Sequence, residues 1–248
     1  MLIGTSDYKL KYYCSILENG GDEKDLTRLS SVTINDVITH MTVLSPHSKD
    51  DINLKLKNCI NVLRDDLAAV ERVAREISED ASQNGVKYFE VGVDPSKFVS
   101  NSEESEDLVR AVLRGLKEGE KLTGTKGSVL VQCEKGKTGE QQQKEILTIC
   151  EKLRVEGVVG LELTSNQTVI NTQIAGDAGT VESLLFSAED IAFMAEAKEK
   201  KIRRSVQAGE FGPPEMVFQA LEKLQADRIV FGYNVTEVGR VTVGNMRS

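Results

Sequence analysis

The apolar positions of the chain fall into two kinds of run, which alternate from about residue 65 onward. Asp65 to Asn84 carries its apolar residues on one face at helical spacing and is followed by Gly85, so it predicts an amphipathic helix. The short apolar runs that follow predict strands, and the longer mixed runs between them predict helices. The predicted strands are 86–93, 127–133, 158–163, 202–206 and 228–231, and the further predicted helices are 103–123, 139–154, 188–200 and 214–225.

This alternation predicts parallel βαβ units with right-handed crossovers, and therefore an α/β fold. Before position 65 the sequence is polar, with candidate helices near 31–42 and 50–61, so we expect a helical N-terminal third. No Gly/Ser-rich linker or charge block divides the sequence, and we predict a single domain over residues 1–248. We expect the longest irregular stretch, 166–187, to be a loop over the carboxyl ends of the strands.

Composition narrows the classes of partner. The formal net charge is −8 and only 5% of the residues are aromatic, which argues against a partner with a phosphate backbone. The sequence has no apolar run of about 18 residues and no secretory signal pattern at its start. Its four cysteines lack CxxC spacing and are typical of reduced thiols. We therefore expect a cytoplasmic protein that binds neither nucleic acid nor membrane.

One segment carries the most chemical information. Ser205 to Glu215 (SVQAGEFGPPE) reads as a short strand that ends in a turn holding Glu210, followed by a helix. Together with four other segments in the same order, it resembles strands two to six of the adenosine deaminase family, and Tyr8 to Cys14 stands at the place of the first strand. The other four segments are 85–95 (GVKYFEVGVDP), 112–133, 158–163 (VVGLEL) and 227–234 (DRIVFGYN).

The resemblance implies a TIM-type (β/α) barrel of the amidohydrolase superfamily. Six strands are recognisable, and Arg240 to Val243 is a candidate for a seventh, so the barrel is expected to be incomplete unless other segments rearrange to close it. Missing strands would expose sheet edges. We therefore expect either self-association or a protein partner that covers the gap.

The resemblance also implies zinc chemistry, in which a metal-bound hydroxide deaminates adenosine. The metal is required because it lowers the pKa of water from about 15.7 to about 7. At the family's ligand positions, however, Lys11 and Tyr13 replace the His-x-His of the first strand, and Gln207 replaces the histidine of the fifth. Phe231 replaces the histidine of the sixth strand, and the paired aspartates of the eighth have no counterpart. We therefore predict no metal and no cofactor.

The histidine count leads to the same prediction without any alignment. The chain holds two histidines, His40 and His47, whereas the family's site needs three ligand histidines and a catalytic fourth. A site of two histidines and one carboxylate is arithmetically allowed. The seven-residue separation nevertheless keeps the pair off one helical turn, and neither residue follows a predicted strand.

A few residues remain as candidates for function. Glu210 keeps the residue type of the family's catalytic glutamate, and Gly209 before it lets a backbone approach a ligand; the alternative is that Glu210 is a structural carboxylate. For Phe231 we favour core filling at the barrel mouth, and the alternative is a stacking surface for a base, so it remains a candidate for substrate binding with Gly209, Glu210 and Ser165. Ser165 stands where the family touches the nucleoside, and Cys133 is the best thiol candidate for a nucleophile, although no histidine accompanies it.

Three functional hypotheses follow. The leading one is an adenosine-deaminase-like protein that is catalytically inactive and keeps the scaffold for binding a purine nucleoside or for protein interaction. The alternative is an active zinc-dependent adenosine deaminase whose ligands lie elsewhere in the sequence. The third is a truncated or alternative product of a larger gene.

Overall fold

The computed structural model describes residues 57, 60–136, 138–165, 185–210, 213–233 and 235. Within them, five parallel strands form one sheet in chain order, with helices between them, so the predicted βα units are confirmed. The segment at the place of the family's first strand (8–14), the candidate helix at 31–42, the candidate seventh strand (240–243) and both histidines lie outside the described residues, as does most of the predicted loop at 166–187. The strands are β1 (Tyr88–Val93), β2 (Lys126–Glu134), β3 (Val158–Thr164), β4 (Arg204–Ala208) and β5 (Arg228–Phe231).

Helical residues at 60–63 precede six helices whose bounds lie within the described residues. The first begins at the N-cap Asp66, whose carboxylate accepts a hydrogen bond from Ala69 N at 3.0 Å. The fifth begins with a reciprocal capping box between Ser187 and Asp190. The helices are α1 (Leu67–Gln83), α2 (Pro95–Phe98), α3 (Ser105–Thr123), α4 (Glu140–Lys152), α5 (Ala188–Glu199) and α6 (Glu215–Glu222), with single 3-10 turns at Ser102–Glu104 and Arg154–Glu156.

The fourth strand starts two residues later than its apolar run predicts. Lys201 adopts a left-handed conformation with φ 55°, and Ile202 N donates to Ala197 O at 2.9 Å. Lys201 N donates in turn to Lys198 O, also at 2.9 Å, which completes a Schellman motif at the end of α5. Ile202 is therefore the apolar residue that closes this helix, and β4 begins only at Arg204.

The hydrophobic core lies between the sheet and the helices. Alternate residues of the strands point toward the helices and are almost fully buried, because side chains alternate between the two faces of a strand. Helix residues such as Leu108, Leu116, Ile146 and Met194 belong to the same cluster. On the strands, the core-facing residues are Val129, Val131, Cys133, Leu161, Leu163 and Val206.

Helices α1 and α3 approach each other closely because α3 carries glycines at the contact. A Cβ atom placed on Gly115 would overlap the backbone oxygen of Glu71 and lie 2.8 Å from the Cβ of Ala74. One turn further, a Cβ on Gly119 would overlap the side chain of Ser78. The two helix backbones are therefore packed as closely as glycine allows.

The sheet curves strongly enough to bring its first and last described strands together. Arg228 on β5 donates a hydrogen bond to Glu90 on β1, although β2, β3 and β4 separate these strands in the sheet. Tyr88 donates a second hydrogen bond to Glu90, at 2.8 Å. This ion pair crosses the concave face, and the five strands therefore form a half-barrel whose interior carries the inward side chains.

The Glu90–Arg228 pair predicts a specific pH dependence of stability. The hydrogen bond from Arg228 lowers the pKa of Glu90, against the opposing effect of burial. A carboxyl with a lowered pKa contributes stability above its unfolded pKa of about 4.3, and that contribution is lost as the pH falls through the folded pKa. We therefore expect Arg228→Gln to lower the free energy of unfolding at pH 7, with a difference from wild type that shrinks below pH about 4.

Urea unfolding between pH 3 and pH 7 measures this difference. Lys144→Gln serves as the control, because it breaks an exposed ion pair with Glu140 within α4. It is expected to change stability by less than about 0.5 kcal/mol. A destabilisation by Arg228→Gln that is constant across the pH range would contradict the role assigned to Glu90.

None of the helices in the described residues combines the length and apolar character that a membrane crossing demands.

Candidate functional site

A hydrogen-bonded polar cluster lines the concave face toward the carboxyl ends of the strands. Its centre is Glu162 on β3, which is only 7% exposed. Its Oε1 accepts hydrogen bonds from the side-chain amides of Gln132 on β2, at 2.8 Å, and Gln207 on β4, at 2.9 Å. Its Oε2 accepts a hydrogen bond from the hydroxyl of Ser205 at 3.2 Å. The carboxylate on β3 is thus the common acceptor for side-chain donors from the two neighbouring strands, β2 and β4.

The register of the sheet explains why these residues meet. Gln132 is paired with Glu162 across β2 and β3, and Glu162 is paired with Ser205 across β3 and β4. Directly paired residues in neighbouring strands point to the same face of a sheet. On β1, Gly92 makes room for the cluster, since a Cβ there would lie 2.5 Å from Cδ of Gln132. The cluster therefore depends on both the inward polar residues and a glycine beside them.

The rim of the half-barrel is formed where β4 and β5 end. Gly209 has a φ of 79°, and a Cβ there would lie 2.7 Å from Val217 and 3.0 Å from Cα of Gly232. Gly232 N also donates to Ala208 O at 2.9 Å. The two strand ends are thus in backbone contact, which a side chain at position 209 would prevent. Glu210 follows directly and is partly buried, at the strand end where the sequence predicts it.

The expectation that Phe231 fills the core is wrong. Phe231 is 40% exposed, and its φ of 80° is a left-handed conformation that bulky residues rarely adopt. Phe231 stays in register with Ala208 on β4, and the sequence alone reveals neither its exposure nor its backbone conformation. The ring lies 6.1 Å from that of Tyr233, which is 68% exposed. The rim therefore carries a pair of accessible aromatic rings.

The remaining candidates fall in different places. Ser165 follows β3 directly and is partly buried, so it belongs to the same edge of the sheet as Gln207 and Gly209. Cys133 faces the helices and is fully buried, and this burial raises the pKa of its thiol well above the ordinary value. A nucleophilic role for Cys133 is thereby disfavoured. Lys11 and Tyr13 lie outside the described residues.

The described residues do not fit the zinc that the resemblance implies. The resemblance places two of the family's ligand or catalytic histidine positions among the described residues, at Gln207 and Phe231. The amide nitrogen of Gln207 already donates a hydrogen bond to Glu162, and a carboxamide does not replace a neutral imidazole on zinc. Among the described residues, no three histidine, cysteine, aspartate or glutamate side chains are grouped so as to hold a metal ion.

Sequence reasoning missed the polar cluster, apart from Gln207. The sequence did contain a signal for this cluster, because Gln132 in β2 and Glu162 in β3 are polar residues that stand between apolar neighbours. In a barrel whose outer face is covered by helices, such positions must point inward. Ser205 completes the same pattern at the start of β4.

Comparisons with known proteins agree on one family. The sequence model of the family described as "Adenosine deaminase" matches residues 16–242. The adenosine deaminase of Xenopus laevis is 27% identical over 228 residues, which cover 87% of this chain and 59% of that protein. The adenosine deaminase of Gallus gallus is 28% identical over 221 residues, which cover 84% of this chain and 57% of that protein. The chain thus spans between half and two thirds of the length of these relatives.

Solved structures share the fold. An adenine deaminase from Arthrobacter aurescens superposes with a TM-score of 0.60 at 18% identity, over 94% of this chain and 64% of that chain. An amidohydrolase from Burkholderia ambifaria with bound Zn superposes with a TM-score of 0.61 at 16% identity, over 92% of this chain and 56% of that chain. The predicted α/β barrel architecture is therefore confirmed for the half-barrel that the structure describes.

Proposed function

The chain belongs to the adenosine deaminase family, and from that premise we propose that it is a non-catalytic member that binds a purine nucleoside at the rim of its half-barrel without deaminating it. The observation that carries the proposal is the side chain of Gln207. It stands where the family has a ligand histidine, and its amide nitrogen donates a hydrogen bond to the buried carboxylate of Glu162 at 2.9 Å. This fifth-strand position therefore serves a structural hydrogen bond.

Loss of the metal ligands removes the means of making a nucleophile. The family's reaction needs a hydroxide near neutral pH, and a metal supplies it by acidifying bound water. With two histidines in the sequence and neither of them on a described strand, the chain lacks the imidazoles for that site. A glutamate such as Glu210 can still accept a proton or a hydrogen bond, but it cannot by itself generate the hydroxide.

Several rim features support retained binding of a nucleoside. Phe231 and Tyr233 offer aromatic surface against which a purine can stack. Glu210, beside the close backbone contact at Gly209, can accept a hydrogen bond from an exocyclic amino group. Ser165 lies at the same edge of the sheet and can contact the ribose. We assign Phe231, Tyr233, Glu210 and Ser165 to the substrate-binding side of the site.

Two broader features belong to the same proposal. The buried free thiols of Cys133 and Cys150 suit a reducing compartment and support a cytoplasmic location. The outer edges of β1 and β5 pair with no other described strand, which supports self-association or a covering protein partner. Light scattering tests self-association, and a monomer at every working concentration would contradict it.

Calorimetry with adenosine, together with metal analysis and an absorbance assay of deamination, tests the proposal. We expect saturable binding, no stoichiometric zinc and no turnover. Phe231→Ala is expected to weaken binding about tenfold, because it removes a stacking surface. Leu122→Ala is the matched control, since Leu122 is also an exposed apolar residue but lies near the end of α3.

The outcomes separate the alternatives. Stoichiometric zinc with turnover of adenosine would establish the working deaminase and contradict the proposal. A folded protein that binds no adenosine would contradict nucleoside binding and leave the scaffold with a role in protein interaction.

A further inference from the structure

A charged cavity of about 420 Å³ lies on the concave face toward the amino ends of the strands, away from the rim described above. It is formed where β3, β4 and β5 begin, and Glu90 on β1 and Leu130 on β2 complete its wall. Its volume falls within the range of about 300 to 1,000 Å³ that is typical of small-molecule sites. This end of the half-barrel has no part in the nucleoside site proposed for the rim.

Three arginines and two carboxylates line the cavity. A third carboxylate, that of Glu162, is buried behind the wall and accepts a hydrogen bond from Ser205 of the lining. Asp227 accepts hydrogen bonds from Nε and Nη2 of Arg204, at 3.2 and 3.0 Å, and Glu90 accepts one from Arg228. Arg203 is therefore the arginine of the lining that has no hydrogen-bonded carboxylate among the described residues.

Of the three guanidinium groups, that of Arg203 has the weakest contacts with carboxylates. Its side chain is 80% exposed, and its ion pair with Asp227 Oδ1 is long, at 3.9 Å. Arg228 is 55% exposed and donates through Nη1 to Glu90, so its other N–H groups have no partner among the described residues. Two guanidinium forks with free donors therefore face one small volume.

Arg204 does not point into the cavity from the concave face. It is paired with Leu161, which points toward the helices, so its side chain, only 8% exposed, lies on the helix side of the sheet. The donors that can reach a ligand in the cavity therefore belong to Arg203 and Arg228.

We propose that this cavity binds the phosphate group of a small molecule, with Arg203 and Arg228 as its ligands. The planar fork of a guanidinium matches two phosphate oxygens at once, which makes arginine the preferred residue for such groups. The inference does not rest on the nucleoside site, because the two sites occupy opposite ends of the strands.

Calorimetric titration of the whole chain with inorganic phosphate tests the proposal, with chloride holding the ionic strength constant. We expect saturable binding to the wild type and a loss of affinity of about tenfold or more in Arg203→Gln, because a charge-assisted hydrogen bond is lost. Arg203 is suited to this test, since its exposure and single long ion pair make it dispensable for folding. Arg72→Gln is the matched control: it removes the same charge from the exposed face of α1, outside the cavity lining.

A parallel titration with glycerol 3-phosphate separates two sources of the same group. Tighter binding of the ester would identify a phosphorylated metabolite as the ligand, and equal binding would identify free phosphate; either result supports the site. Equal affinities in Arg203→Gln and Arg72→Gln would reduce the effect to general charge screening and overturn the proposal. Absence of saturable binding to the wild type would overturn it as well. Adenosine binding at the rim is expected to be unchanged in Arg203→Gln, so the two proposals fail independently.

Discussion

Replacing Glu162 with alanine is expected to lower the free energy of unfolding by about 3 kcal/mol or more. The substitution leaves the amides of Gln132 and Gln207 and the hydroxyl of Ser205 without their acceptor. Each buried donor that loses its partner costs about 1 kcal/mol or more, and three donors lose theirs here. Glu162 and Ser205 are buried, and Gln132 and Gln207 are partly buried.

Urea denaturation followed by circular dichroism measures this loss. Glu162→Gln keeps the shape and one carbonyl acceptor, so we expect a smaller cost of about 1 to 2 kcal/mol. Glu199→Ala, on the exposed last turn of α5, serves as the surface control and is expected to change stability by less than about 0.5 kcal/mol. A cost below about 1 kcal/mol for Glu162→Ala would mean that the cluster does not hold the three strands together.

Replacing Gly115 with alanine is expected to cost about 2 to 3 kcal/mol, although alanine is the better helix former. The added methyl group would overlap the backbone oxygen of Glu71 and crowd the Cβ of Ala74 at 2.8 Å. A backbone oxygen cannot rotate away as a side chain can, so α1 and α3 must move apart. Overpacking of this kind costs about 1 to 3 kcal/mol or more, which exceeds the gain of about 1 kcal/mol in helix propensity.

Gly139→Ala is the matched control, because a Cβ at position 139 meets no atom within 4 Å and the backbone φ is −67°. The same glycine-to-alanine change is therefore expected to cost less than about 1 kcal/mol there. Unfolding in urea compares the two variants directly. Equal stabilities would show that the α1–α3 contact can relax, and would contradict the close packing assigned to Gly115.

Local pattern was sufficient to predict the five strands and the longer helices in the described region, but it missed the short helix α2 (Pro95–Phe98). The strand at 158–163 and the helix at 188–200 each differ from the observed elements by one residue, because apolar periodicity and a capping serine define them locally. The helix predicted at 214–225 is observed as Glu215–Glu222, in keeping with the usual uncertainty of helix ends. The contacts that build the site depend instead on how strands line up in space.

The two clearest failures follow from that distinction. Phe231 is exposed at a strand end and has a left-handed backbone, and nothing in its own side chain favours that conformation. The cluster around Glu162 depends on strand register, which joins residues as much as 45 positions apart in the sequence. Gln207 was recognised as a lost ligand, but its new partner became apparent only from the structure.

The ion pair between Glu90 and Arg228 joins residues 138 positions apart, whereas every strand pairs with its nearest neighbour in the chain. Each βα unit can therefore dock on the one made before it as the polypeptide leaves the ribosome. The clasp across the concave face forms only when the fifth strand arrives. A nascent chain that stops short of residue 228 would lack this contact between the first and last described strands, and its inner polar face would stay open to water until synthesis passes that point.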